Sequence, residues 1–264
     1  MTQQPIRFDD GAAYERLMGV WSRLVGDVLL DWLSPATGQR WVDVGCGNGA
    51  FTEMLIERCA PRDMQGIDPS EGQIAYARTR LAARGAVFQQ GNAMALPFDT
   101  SRFDAAVMAL VIHFVPDPAK GVAEMARVVC PGGTVAAYTW DQPGGAGPLD
   151  PIELEMRAMG IAPLARPSAN IQRMEALRGL WTNAGLEAVE TRAITVMRTF
   201  NDFDDFWMST TGTGAVKPVL EAVCASAIAQ LRGRVRERLP ADTQGRIAYD
   251  SRAFAVKGRV PKSR

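Results

Sequence analysis

The 264-residue chain is poor in histidine and cysteine and carries no excess charge of either sign. It has one histidine and four cysteines, and no two cysteines form a C-x-x-C pair. This pattern excludes a disulfide framework and a zinc site, and it predicts no metal. Lys+Arg and Asp+Glu both number 29, so the formal net charge is zero. A neutral chain lacks the global attraction to nucleic acid, and we expect no nucleic-acid partner.

Targeting and membrane-spanning segments are also missing from the sequence. No stretch of about 18 apolar residues occurs, and the N-terminus shows no basic region followed by an apolar run. These absences predict a cytoplasmic protein that makes no membrane contact. What is present is an ordinary globular composition, with 47% hydrophobic and 22% charged residues. That composition is sufficient to bury a sizeable core.

Strand-like and helix-like segments alternate between residues 40 and 140. The apolar runs typical of strands are residues 40–44, 64–67, 87–90, 103–110 and 134–140. The helical segments between them are 50–59, about 71–83 and 118–129, the last ended by Pro131-Gly132-Gly133. Strands that alternate with helices predict a doubly wound, parallel α/β sheet.

The alternation stops after Trp140. Residues 141–151 are rich in Gly and Pro and predict an irregular loop. Further on, the spacing of apolar residues predicts helices near 152–159, over 170–184 and through most of 203–239, with strands at 186–200 and 251–260. A helical insertion therefore separates the last two strands. Before the alternation, residues 11–33 also have helical spacing, ended by Ser34-Pro35.

A glycine-rich turn follows the first strand, in the run VDVGCGNGAF at 42–51. Glycines allow the backbone to approach a ligand closely, and the helix that follows directs its amide groups at that ligand. The second strand ends at Asp68, whose carboxylate can accept hydrogen bonds from a ribose diol. Two ligand classes fit this arrangement. Gly45, Gly47 and Ala50 satisfy the dinucleotide pattern G-x-G-x-x-G/A, and S-adenosylmethionine also carries a ribose.

Five segments together resemble the class I S-adenosylmethionine-dependent methyltransferases, most closely their small-molecule, type 11-like branch. They are VDVGCGNGAF at 42–51, GIDPSEGQIAYAR at 66–78, GNAMALPF at 91–98, FDAAVMALVIHFVPDP at 103–118 and RVVCPGGTVAAYTW at 127–140. YERLMGVWSR at 14–23 and the two C-terminal segments TGTGAVKPVL and SRAFAVKGRV extend the likeness over nearly the whole chain. The resemblance implies a Rossmann-like, seven-stranded, mostly parallel sheet with an antiparallel last strand and helical lid insertions.

The resemblance implies a single domain over residues 1–264 with three kinds of segment. Residues 1–33 form an N-terminal helical lid, and 40–140 form the cofactor-binding core. The segments 141–169 and 201–240 are insertions that build the pocket for the methyl acceptor. The state of assembly that we expect is a monomer or a homodimer.

Site residues follow from the resemblance, position by position. The methionine part of the cofactor is surrounded by Asp43 and the backbone of Gly45, Cys46 and Gly47, and Asp68 holds the ribose hydroxyls. The residues implied on the adenine are Pro69, Gln73, Asn92 and Ala93. The backbone of Ala109 faces the reactive centre, and Tyr14, Trp21 and Ser22 close over the cofactor.

Three positions depart from the family pattern. Asn92 stands where the family usually has Asp, which predicts weaker cofactor binding because an amide oxygen still accepts from the adenine amine. Gln73 replaces a frequent Met beside the adenine. Val20 replaces a frequent Arg, which puts a carboxylate clamp at that place in doubt.

Several candidate residues also have a purely structural interpretation. His113 is the candidate general base, and a packed histidine just after a core strand is the alternative. Cys46 is interpreted as a small apolar filler rather than a nucleophile. Asp43 has the alternative of shaping the glycine turn. Trp140, at the end of the fifth strand, is interpreted either as lining the substrate pocket or as capping the core. Basic residues at 232–238 alternate with apolar ones, which indicates a solvated helix face.

The predicted reaction is methyl transfer from S-adenosylmethionine to a small organic acceptor. It needs alignment and exclusion of water more than a catalytic triad, and a base only where the acceptor must lose a proton. The run Met108-Ala109-Leu110-Val111 lacks the (Asp/Asn)-Pro-Pro-(Tyr/Phe) motif of base methylation, which argues against a nucleic-acid acceptor. The alternatives are a non-catalytic relative that keeps the fold and an NAD(P)-dependent oxidoreductase.

Overall fold

The computed structural model describes residues 15–81 and 84–262, which form one mixed sheet with helices on both faces. Its strands are β1 (Arg40–Val44), β2 (Asp63–Asp68), β3 (Ala86–Gln90), β4 (Phe103–Ala109), β5 (Val129–Trp140), β6 (Glu187–Phe200) and β7 (Ile247–Arg259). Its helices are α1 (Val20–Leu33), α2 (Ala50–Cys59), α3 (Glu71–Arg80), α4 (Pro118–Val128), α5 (Asp150–Ala158), α6 (Met174–Asn183), α7 (Phe203–Thr211), α8 (Lys217–Glu221) and α9 (Ala225–Arg238). A π-helical turn precedes α1 at Glu15–Gly19, and 3₁₀ turns lie at Ile112–Phe114 and Ala169–Ile171.

The strand order is β3-β2-β1-β4-β5-β7-β6. The first five strands are parallel, whereas β7 is inserted antiparallel between β5 and β6. This arrangement confirms the predicted doubly wound, seven-stranded and mostly parallel sheet with an antiparallel last strand. The chain order reverses between β1 and β4, and ligands of open α/β sheets bind outside the carboxyl ends of the strands at such a switch point.

Short polar caps start several of the helices. Ser70 accepts a hydrogen bond from the amide of Gln73 (3.3 Å) at α3, and Asp117 accepts one from the amide of Lys120 (3.1 Å) at α4. Pro118 occupies the first turn of α4, where its missing N–H costs nothing. In the described part of the chain, no helix is both long enough and apolar enough to cross a membrane.

Two apolar layers cover the two faces of the sheet. One layer joins α1, α2 and the insertion helices α5, α7 and α9 to the sheet. The other joins α4 and α6 to the opposite face, where the Trp181 indole donates to the carbonyl of Val135 (3.0 Å). The central parallel strands β1 and β4 are buried on both faces, and this is why their sequences are nearly continuous apolar runs.

Some predicted element bounds differ from the observed ones. β5 begins at Val129, so Pro131-Gly132-Gly133 lies within its first part rather than in a loop. Long-range pairing holds it there, because Gly132 donates to the carbonyl of Val260 (2.8 Å) and Val260 donates back to that of Gly133 (3.0 Å). The helix expected over 170–184 is interrupted at Gln172 and Arg173, and α6 begins at Met174.

Candidate functional site

The glycine turn after β1 is the centre of the candidate site. Gly45, Gly47 and Gly49 all have positive φ, at 79°, 53° and 81°, a region that side chains disfavour. The amides of Gly45 and Cys46 both donate to the carbonyl of Ile67, at 2.7 and 3.0 Å. The turn is therefore tied to the end of β2.

Two of the glycines serve different purposes. A Cβ on Gly45 would lie 2.3 Å from Cγ2 of Val111, because the loop after β4 packs directly on the turn. A Cβ on Gly47 would meet only Oε1 of Gln73, at 4.0 Å. Gly45 is thus required by packing, whereas Gly47 leaves open space in which a ligand can approach the backbone.

Asp68 lies beside that open space, at the carboxyl end of β2. Its Oδ2 accepts from the amide of Gly47 (3.0 Å) and its Oδ1 from the amide of Ser70 (2.9 Å). Burial raises the pKa of Asp68, although these two hydrogen bonds oppose the rise. Each carboxylate oxygen has two lone pairs, so each can still accept a hydrogen bond from a hydroxyl donor.

Asp43 lies in the floor below the turn and is fully buried. Thr52 donates its hydroxyl to Oδ2 of Asp43 (2.7 Å), while Oδ1 has no hydrogen-bond partner among the described residues. Burial, together with the nearby charge of Asp68, raises the pKa of Asp43 to about 7. One buried acceptor oxygen therefore stays available beneath the glycine turn.

Cys46 is part of the same turn, and its thiol is expected to be unreactive. Its side chain is buried, and burial together with Asp43 and Asp68 holds the pKa of the thiol well above its ordinary value. A thiol with a raised pKa is a poor nucleophile at neutral pH. These surroundings agree with its interpretation as a small filler.

The residues expected on the adenine lie after β2 and β3. Pro69 is exposed, and its carbonyl accepts from the side chain of Gln90 (2.9 Å). Gln73 is buried in the first turn of α3. Asn92 is exposed, and its Oδ1 already accepts from the amide of Met94 (2.9 Å), with Ala93 half-buried between them. The second lone pair of that oxygen can accept a further hydrogen bond.

The end of β4 carries the residues expected near the reaction. Ala109 is the last residue of β4, and Leu110 follows with a φ of 63° while its amide donates to the carbonyl of Tyr138 (3.0 Å). His113 lies in the next turn, buried, with Nδ1 2.8 Å from the hydroxyl of Thr139. Burial, with the nearby Arg166, lowers the pKa of His113 to about 3.

Of the three N-terminal residues expected to close over the cofactor, two lie in the described structure and are buried, Trp21 and Ser22. Trp21 is fully buried and packs edge-to-face on Trp140, with 6.1 Å between ring centroids. The hydroxyl of Ser22 lies 2.7 Å from that of Tyr138 on β5. Tyr14 lies outside the described residues. The structure thus brings Gly45, Cys46, Gly47, Asp43 and Asp68 together, and it places Trp21 and Ser22 against β5.

An ion cluster beside the glycine turn was not predicted from the sequence. The carboxylate of Glu15 accepts from the side chains of Asn48 (3.1 Å) and Arg80 (2.8 Å), and Arg80 also binds Glu53 (2.6 Å). Oδ1 of Asn48 accepts from the amide of Ala50, the first residue of α2 (3.1 Å). The sequence offered one indication of these contacts, the polar Asn48 between Gly47 and Gly49. Because Glu15 and Arg80 are 65 positions apart, no local pattern links them.

Comparison with known proteins agrees with this geometry. Residues 42–137 match the family model described as a methyltransferase domain. An uncharacterised methyltransferase of Mycobacterium tuberculosis is 38% identical over 104 residues, which is 39% of this chain and 41% of that protein. A fatty-acid O-methyltransferase of Mycolicibacterium smegmatis is 34% identical over 154 residues, or 58% of this chain and 53% of that protein. The chain thus spans about half the length of the curated relatives it matches.

A solved structure shares the fold at low identity. Phosphoethanolamine N-methyltransferase 2 of Haemonchus contortus, in complex with S-adenosyl-L-methionine, has a TM-score of 0.58 at 17% identity, covering 95% of this chain and 56% of that one. Over residues 42–137, the chain is therefore similar to the methyltransferase domain that the sequence resemblance implied.

Proposed function

We propose that this protein transfers a methyl group from S-adenosylmethionine to a small organic acceptor. The observation that carries the proposal is the open backbone at Gly47 beside the Asp68 carboxylate, at the switch point between β1 and β4. The family match over 42–137 and the methyltransferase relatives support the same activity. A non-catalytic protein that only binds the cofactor is the alternative from the sequence.

The residues of the turn fit the cofactor part by part. Asp68 has a lone pair left on each oxygen for the two ribose hydroxyls. The unpartnered Oδ1 of Asp43 suits the ammonium group of the amino-acid end, and the open backbone at Gly47 leaves space for that end. Pro69, Gln73, Asn92 and Ala93 border the space for the adenine. When bound, S-adenosylmethionine supplies a sulfonium methyl that is already activated for in-line attack.

The protein contributes alignment and a dry surrounding to such a reaction. Ala109 and Leu110 end β4 where the acceptor must approach, and both side chains are buried. Val111 packs on Gly45 and fixes the distance between this loop and the glycine turn. The residues therefore hold the two reacting partners on one edge of the sheet.

The surroundings of Trp140 favour an apolar acceptor. Trp140 ends β5, is buried, and packs on Trp21, which in turn packs on Tyr249 with 5.3 Å between ring centroids. The fatty-acid O-methyltransferase relative supports an acceptor of this class. Segments 141–169 and 201–240, proposed as the walls of the acceptor pocket, supply α5 and α7 to the same apolar layer. The cytoplasmic location and the monomeric or homodimeric state stay predictions.

Replacement of Asp68 by Ala tests the cofactor site. We expect Asp68→Ala to lower the affinity for S-adenosylmethionine at least tenfold, about 1.4 kcal/mol, because the ribose hydroxyls lose their acceptor. Calorimetric titration with S-adenosylmethionine, S-adenosylhomocysteine and NAD measures this effect. Asp63→Asn, at the opposite end of β2, is the matched control. Binding of NAD alone, or unchanged affinity in folded Asp68→Ala, would contradict the proposal.

A further inference from the structure

A chain of three buried polar side chains runs beneath the carboxyl ends of β4 and β5. Nδ1 of His113 lies 2.8 Å from Oγ1 of Thr139. Nε2 of Gln172 lies 3.4 Å from that Oγ1 and 3.2 Å from the carbonyl oxygen of Trp140. All three side chains are at least 97% buried, so solvent does not decide where their protons lie.

The carbonyl of Trp140 sets the direction of this chain. A carbonyl oxygen only accepts, so the Gln172 atom that faces it must be the NH₂ group. The second N–H of that group then points at Thr139, whose oxygen accepts it. Oγ1 of Thr139 has a second lone pair, but among the described residues Nδ1 of His113 is the one acceptor within reach of its hydroxyl proton. Because a buried hydroxyl without an acceptor is costly, the hydroxyl donates to Nδ1, which is then the unprotonated ring nitrogen.

The opposite assignment is physically worse. If the Gln172 amide were flipped, its oxygen would face the carbonyl oxygen of Trp140 at 3.2 Å. The NH₂ group would then occupy the place where the oxygen now has no partner among the described residues. Two buried donors would be lost instead of one acceptor, and buried groups without partners are costly. The contact with Trp140 thus selects one orientation of the Gln172 amide, and with it the donor and acceptor in each hydrogen bond of the three side chains.

We propose that Gln172 and Thr139 are positioning residues that hold His113 as the neutral tautomer with its proton on Nε2. The assignment of the tautomer rests on the geometry alone, and its meaning for catalysis rests on the proposed function. The proton pattern makes His113 a hydrogen-bond donor at the end of β4 and removes it as the base that takes a proton from the acceptor. The three hydrogen-bonded side chains thus assign a protonation state to His113, and the proposal includes no covalent step.

The surroundings of His113 fix the turn that carries the ring and keep the ring neutral. Ser168 donates its amide to the carbonyl of His113 (3.1 Å) and its hydroxyl to the carbonyl of Val115 (2.8 Å). The segment with Ser168 and Gln172 therefore clamps the turn and the ring together. Burial also lowers the pKa of His113 to about 3, so the ring stays neutral at physiological pH.

The chain has one histidine, which makes the test unambiguous. The full-length protein, labelled with ¹⁵N-histidine, is examined by two-bond ¹⁵N–¹H NMR correlation between about pH 5 and pH 8. We expect one neutral imidazole with the proton on Nε2 and no titration in this range. A proton on Nδ1, a fast mixture of tautomers, or a ring that titrates near its ordinary pKa would overturn the proposal.

Two variants separate the positioning role from general packing. In Thr139→Val and in Gln172→Met, we expect the Nδ1–H form to gain about tenfold relative to the Nε2–H form, as one hydrogen bond is lost. Thr139→Ser keeps the hydroxyl and should restore the wild-type spectrum. Thr210→Val is the matched control, because Thr210 is fully buried and its hydroxyl has no partner among the described residues.

A separate binding measurement distinguishes this proposal from the function on which its meaning rests. Because the ¹⁵N label reports only His113, calorimetric titration of the same protein with S-adenosylhomocysteine measures cofactor binding independently. Loss of binding with an intact Nε2–H signal would contradict the proposed function alone. Unchanged tautomer populations in folded Thr139→Val and Gln172→Met would contradict the positioning roles alone.

Discussion

Asp43 and His113 are buried titratable residues whose protonation changes in opposite senses on folding. Burial raises the pKa of Asp43 from 3.8 to about 7, so between these values the folded state binds the extra proton. Burial lowers the pKa of His113 from 6.5 to about 3, so between those values the unfolded state binds the extra proton. The two windows overlap from about pH 4 to pH 6.5.

The signs follow from linkage. Stability rises with pH wherever the unfolded state binds more protons, by up to about 1.4 kcal/mol per pH unit for one group. In the shared window, His113 therefore makes the protein more stable as pH rises, and Asp43 makes it less stable. The contributions of the two residues nearly cancel in the wild-type protein.

Replacement of Asp43 by Asn should uncover the effect of His113. Asn retains an oxygen that accepts from Thr52 but has no proton to bind in this range. We expect the free energy of unfolding of Asp43→Asn to rise with pH more steeply than that of the wild type, by about 1.4 kcal/mol per unit around pH 5. Urea unfolding at several pH values measures the slope. Glu221→Gln, at an exposed position on α8, is the control, and equal slopes in all three proteins would refute the prediction.

At the scale of elements, the connection from β1 to α2 separates packing from ligand binding. Gly45 faces Val111 and Gly47 faces open space, although both have positive φ. Left-handed backbone costs a non-glycine residue about 1–2 kcal/mol. A clash with the branched side chain of Val111 adds an overpacking cost of about 1–3 kcal/mol.

Alanine at the two glycines should therefore give contrasting results. We expect Gly45→Ala to lower the free energy of unfolding by about 3 kcal/mol, and Gly47→Ala by only about 1 kcal/mol. Gly47→Ala should nevertheless weaken S-adenosylhomocysteine binding at least tenfold, because its Cβ fills the space beside Asp68. Urea unfolding and calorimetry measure the two effects. Equal stability of the two variants would contradict the assignment of Gly45 to packing.

At the scale of the whole molecule, β7 connects the parallel half of the sheet to β6. It pairs with β5 from Thr134 to Trp140 and with β6 from Glu187 to Phe200. Its removal would leave two sheet edges unpaired and the apolar layers on both faces incomplete. Residues 42–137 are thus a recognisable sequence unit whose sheet is completed from the far end of the chain.

A chain that ends at residue 246 should therefore fail to fold cooperatively. We expect no sharp thermal transition by circular dichroism and elution as an expanded or aggregated species, because β5 and β6 lose their shared neighbour. A chain that ends at Lys262 keeps β7 and serves as the control. A cooperative transition in the shorter chain would show that the first 246 residues fold without β7.

Much of the fold could be predicted because its signals are local. β1 and α2 occupy the predicted residues, since an apolar run, a glycine turn and a helical pattern follow one another directly. The start of β5 could not be predicted, because Pro131-Gly132-Gly133 lies in a strand whose pairing partners, Phe103 and residues 258–260, are distant in the sequence. The same holds for Gln172, which lies outside α6 and whose side chain contacts Thr139 and Trp140, more than 30 positions away.

By itself, the sequence determined the α/β class, the family resemblance and the positions of Gly45, Gly47 and Asp68, since these depend on short-range spacing. Only the tertiary structure decided which glycine packs on Val111, that Glu15 meets Asn48 and Arg80, and that β7 lies between β5 and β6. The physical reason is that hydrogen bonds, burial and pKa shifts depend on distances between atoms. Residues far apart in the chain supply those atoms, and no local pattern encodes their meeting.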